Sequence, residues 1–189
     1  MPLTKNRTSK LSVLRYGAFV SRTAEQRVLS RASAVQNLVH DHYGRRPLGP
    51  VTIVLTKPHL LLGLANEAQG EAAAVPANVW KSAGTKQAIV GKTRDFRVAT
   101  VIAPKGAMWM LLSAPKLRDR KQLQLALLRG FVEVDQLIRS GARENRITWI
   151  RHEMKVHPLS KRQANKFQAQ MFADGAEAER VTADLARRL

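Results

Sequence analysis

Cysteine is absent from the 189 residues. Disulfides and thiolate metal sites are therefore excluded, which fits a cytoplasmic protein. Aromatic residues are scarce, at 5%, so a core has to be built from Leu, Val, Ile and Ala. No apolar run approaches the ~18 residues of a transmembrane helix. The opening "MPLTKNRTSKLSVLRYG" holds no continuous apolar stretch, so no secretory leader is expected. Acids are the other shortage. Against 32 Lys plus Arg stand 14 Asp plus Glu, for a net charge of +18.

Catalytic signatures are missing as well. No Gly-x-Ser-x-Gly occurs. The "GKT" at 91–93 lacks the upstream glycine of a phosphate-binding loop, because position 86 is Lys86. "WIRHEMKVHP", 149–158, holds two histidines, but His152 and His157 are five apart. On a helix they diverge by about 140°, and on a strand they face opposite sides. A zinc pair on one helix needs a spacing of four. His40, His42 and His59 add no ligand pattern. No catalytic residue, cofactor or metal is therefore assigned.

What the chain does have is an ordinary apolar content, 44%, and a large excess of cations. The first suffices for one domain. The second repels itself unless an anion compensates, and nucleic acid is the commonest such partner. An acidic protein or an anionic surface would satisfy the same charge. The arginine- and alanine-rich composition suggests a high-GC bacterial genome, or one of its phages or plasmids.

Periodicity predicts the elements. Residues 1–20 are basic and weakly patterned, and read as an N-terminal arm ahead of a single domain over 21–189. Residues 22–43 read as a helix with Val28, Ala32, Val35 and Val39 on one stripe, Thr23 and Gln26 at capping-box spacing, and Gly44 as its stop. "VTIVLT", 51–56, reads as a buried strand. A helix follows from Pro58, with Gly70 as its stop, and a short strand is expected near Ala88–Val90. Two apolar runs, 97–103 and 107–114, flank the turn "PKG". They predict a hairpin covered on both faces. Residues 119–140, apolar around much of their circumference, predict the central buried helix. Residues 160–189 read as helix capped by Ser160, with a break at Asp174 and Gly175. The expected class is α+β: a small mixed or antiparallel sheet of about three to four strands packed on helices, with a central buried helix and C-terminal helices.

The order of strand, crossing, hairpin and buried helix over 51 to about 140 resembles the core of the zincin metallopeptidases. In that family the buried helix carries His-Glu-x-x-His. In "LLRGFVEV", 127–134, the corresponding positions are Arg129, Gly130 and Glu133, and none matches. The resemblance implies a scaffold without metal or peptidase activity, binding a protein partner. Read from the residues alone, Arg129 and Glu133 form an i,i+4 ion pair and Gly130 allows close packing.

The basic residues lie mainly in 5–31, 81–97, 116–121 and 139–166. The expected function is non-enzymatic binding of nucleic acid, DNA or RNA, through its phosphate backbone. The expected contacts are Lys5, Arg7, Lys10 and Arg15 in the arm. Arg139, Arg143, Arg146, Arg151, Lys155, Lys161, Arg162 and Lys166 complete the set. Trp149 and His152 sit among the latter, where an aromatic ring suits base stacking, although Trp149 reads first as a core residue. No helix-turn-helix, ribbon or zinc-finger pattern accompanies them, so base-specific reading is not expected. A structural or assembly protein docking on an acidic surface is the remaining alternative.

Overall fold

The computed structural model describes residues 11–17, 20–44, 50–82 and 97–189. The expected strand at 88–90 and the basic residues Lys5, Arg7 and Lys10 lie outside these residues. A four-stranded mixed sheet forms the centre: β1 (Leu11–Arg15), β2 (Val51–Thr56), β3 (Val98–Ile102) and β4 (Met108–Ser113). Its order is β1-β2-β4-β3. β1, β2 and β4 run parallel, and β3 pairs antiparallel with β4 through the Pro104–Gly106 turn. The main helices are α1 (Arg22–Tyr43), α2 (Pro58–Ala72), α3 (Arg120–Leu137), α4 (Ala142–Glu153) and α5 (Lys161–Ala186), and residues 77–82 are helical as well. The α+β class and the buried hairpin are as the sequence predicts.

Strand alternation sorts the core onto two faces. Val51, Ile53, Leu55, Met108, Met110 and Leu112 point to one side. There they meet the predicted α1 stripe and Leu127, Leu128 and Phe131 of α3. Val54, Val101 and Leu111 point to the other side and meet Leu61, Leu64 and Ala68 of α2. α5 adds Ala178, Val181 and Leu185 to the first face. Each fully buried Leu or Phe contributes about 1.5–3 kcal/mol from area removed from water, so α3 is the largest single contributor to the core.

Close approach of α3 to the sheet depends on Gly130. A Cβ there would lie 2.6 Å from Met110 Sδ. The Thr100 hydroxyl donates to the Gly130 carbonyl at 3.2 Å.

Several local expectations are corrected. The cap of α1 is Ser21, whose side chain accepts from Ala24 N–H at 3.1 Å, and not Thr23. Gly44 does close that helix, in the left-handed region at φ 64°. α2 runs past Gly70 to Ala72, and Gly70 instead gives room to Trp80. Leu11–Arg15, inside the expected arm, is the edge strand β1. Its hydrogen bonds come from β2, some 40 residues away in sequence, and five residues with one face open give little periodic signal. Asp174 and Gly175 do not break α5. Their carbonyls accept from Gln136 Nε2 (2.7 Å) and Arg129 Nη1 (3.3 Å), so α3 holds the helix straight through a sequence that favours a turn.

Candidate nucleic-acid interface

The basic 139–166 segment folds as α4, a short connection and the start of α5. α4 opens after Gly141, at φ 74°. It packs through Ile150 against Ala73 and Val75, with Ile147 and Met154 alongside. Lys155, at φ 57°, turns the chain out of the helix. The N–H groups of Val156 and His157 both return to the Arg151 carbonyl, at 2.9 and 3.2 Å. His152 Nδ1 accepts from Leu159 N–H at 3.0 Å, so this histidine fastens the connection. Ser160 and Gln163 then cap α5 reciprocally.

The structure separates the expected contact residues into groups. Arg139 is internal: its Nη1 and Nη2 donate to Glu177 Oε2 and Oε1 at 2.7 and 2.6 Å, and its guanidinium lies 5.5 Å from the Tyr43 ring centre. The hydrogen bond to Glu177 holds Arg139 above the usual guanidinium value. Arg146 is also enclosed. Burial lowers its affinity for the proton, opposed by Glu133 and Asp174, and its Nε has no partner among the described residues. Arg139 thus has its charge matched by Glu177, and Arg146 is half-buried. The expected contact residues of 139–166 therefore do not share one environment.

Arg15 belongs to the far side of the fold, paired with Glu25 at 3.1 Å. The remaining cations are at the surface. Arg151 gives Nε to the Ala73 carbonyl at 2.7 Å and is otherwise exposed. Arg143 lies beside the β3–β4 turn, within 3.5 Å of where a Gly106 Cβ would be. That turn brings exposed Lys105 alongside, a neighbour that the sequence signals only as a lone cation at a turn tip. Lys155, Lys161, Arg162 and Lys166 are exposed and form no ion pair among the described residues. Between 151 and 166 the sole acid is Glu153.

α5 adds a feature of its own. Its first turn contains no acid. Lys161, Arg162 and Lys166 stand instead at the positive end of the helix dipole, where cations are unfavourable. All buried residues of α5 lie in its second half, beginning at Ala178. The cationic first half is therefore not held in place by a core of its own. Trp149 is half-buried, with its ring centre 5.4 Å from that of His152.

The three positions aligned with the zincin motif are occupied structurally. Arg129 Nε donates to Glu133 Oε1 at 2.6 Å, and Gly130 faces Met110. Among the described residues no helix is long and apolar enough to cross a membrane. Compared with known proteins, the chain matches no family model, no curated protein and no solved structure, so its function is argued from its own residues.

Proposed function

We propose that the protein is a non-enzymatic, cytoplasmic nucleic-acid-binding protein that contacts the phosphate backbone through the surface made by α4, the connection and the first half of α5. One observation carries this reading. Lys161, Arg162 and Lys166 crowd the positive end of α5 without an acid in its first turn. Such an arrangement costs helix stability and attracts anions, so a polyanion that occupies it offsets the cost. Lys155 and Arg151 continue the charge back into α4, and Arg143 near its start lies beside the turn that carries Lys105. Arg162 and Lys166, four apart, share one face of the helix.

The test is binding to a labelled duplex, a single strand and an RNA hairpin over a salt series. A backbone binder loses affinity linearly in log salt, with a slope of about −0.9 per phosphate contact on duplex DNA. Absence of binding to all three near physiological salt contradicts the proposal.

A further inference from the structure

The carboxyl ends of the parallel strands carry a separate basic cleft. β1, β2 and β4 are parallel and end together. At that end the chain turns from β1 towards α1, from β2 into α2 and from β4 towards α3. Ligands of open parallel sheets bind in the crevice outside the carboxyl ends of the strands. Here the crevice is a cleft of about 430 Å³ between the openings of α1 and α3.

Its lining combines two chemistries. Leu55, Leu117 and Leu123 supply an apolar floor, and Arg27, Lys57 and Arg118 supply cations. No carboxylate lines it among the described residues. The acids nearest in sequence are engaged elsewhere: Asp119 accepts from Gln122 N–H at 2.9 Å, and Glu25 pairs with Arg15. Arg27 and Arg118 form no ion pair among the described residues. Arg27 and Arg118 bring two like charges to one concave, partly apolar space, and an anion between them relieves their repulsion.

We propose that this cleft binds a small phosphate ester with a compact apolar body. Arg27 and Arg118 hold the phosphate, since a guanidinium pairs with two phosphate oxygens at once. The apolar body rests on the leucine floor. The volume falls within the ~300–1,000 Å³ of small-molecule sites.

Calorimetric titration with phenyl phosphate and with inorganic phosphate, at constant ionic strength, tests this. The wild type is expected to bind both saturably, phenyl phosphate more tightly. The double variant Arg27→Gln/Arg118→Gln is expected to lose about tenfold or more in affinity for both. Both arginines are exposed, so the fold is expected to survive, checked by its thermal unfolding. Lys161→Gln/Arg162→Gln, at the other basic surface, is expected to leave the affinities unchanged. Lack of saturable binding at millimolar ligand overturns the proposal, as does equal binding by the double variant. A duplex with 5′-phosphates is added as competitor; its displacing phenyl phosphate would reassign the cleft to nucleic-acid ends. Because Lys161, Arg162 and Lys166 do not line the cleft, failure here leaves the α4–α5 reading standing, and the reverse.

Discussion

Arg139 and Glu177 form a two-point ion pair, 2.7 and 2.6 Å, that joins the chain just after α3 to the middle of α5. Gln136 Nε2 donates to the same carboxylate at 3.2 Å, and the Tyr43 hydroxyl donates to it from the end of α1 at 3.2 Å. Three helices thus meet on one acid. The hydrogen bond from Arg139, more than any other cause, lowers the Glu177 carboxyl to about 2, against an opposing effect of burial.

Glu177 should therefore stabilise the fold in a pH-dependent way. Its folded value lies below its unfolded one, so the contribution is complete above about pH 4.5 and is lost as pH falls towards 2. Glu177→Gln should cost roughly 1.5–3 kcal/mol at neutral pH. In urea unfolding at a series of pH values, the gap between variant and wild type should close on acidification. A gap independent of pH would contradict the assignment.

Tyr43 should titrate late. Burial first, and the Glu177 charge second, raise its hydroxyl to about 12. Stability should then decline from about pH 10, where the unfolded chain ionises, up to about 12. Phenolate absorbance in a Tyr16→Phe background isolates this group, since the chain has two tyrosines. Ionisation near 10 in the folded protein would remove the proposed contact with Glu177.

Gly130→Val should destabilise by roughly 1–3 kcal/mol through overpacking. The added atoms meet the Met110 side chain, which is itself fully buried and must shift. Met110→Val should recover part of the loss in the double variant. A neutral single variant would show that α3 is free to shift from the sheet.

Thr56→Val should have the opposite sign. Thr56 and Ser113 are register partners at the ends of β2 and β4, both fully buried, and neither hydroxyl has a hydrogen-bond partner among the described residues. Replacing an unpaired buried hydroxyl by a methyl should stabilise by about 1 kcal/mol. Thermal unfolding reads this directly. A clear loss would reveal a bridging buried water.

What the sequence disclosed follows from how local each cause is. The α1 stripe, the β2 run and the hairpin are set by residues within one element, and the structure bears them out. The Arg129–Glu133 pair, within one helix, was legible for the same reason. Strand β1 and the unbroken α5 depend on partners distant in sequence, Val51–Leu55 for one and Arg129 and Gln136 for the other. The candidate interface divides the same way. Lys161, Arg162 and Lys166 are exposed as their sequence context suggests. Arg139 and Arg146 look identical in sequence, yet tertiary packing turns them inward. The cleft bordered by Arg27, Lys57 and Arg118 joins three separate segments, and no local pattern marks it.

The central claim is that exposed cations at the start of α5 meet phosphates. The most direct measurement is the salt dependence of duplex binding by Lys161→Gln/Arg162→Gln/Lys166→Gln. Its comparison is Arg180→Gln/Arg187→Gln/Arg188→Gln, which removes equal charge at the other end of α5, roughly 30–40 Å away. The account predicts that the first variant reduces the slope of log affinity against log salt by about 2.7, and that the second leaves it nearly unchanged. Equal losses from both variants would mean that net charge alone attracts the nucleic acid, and would contradict a defined surface.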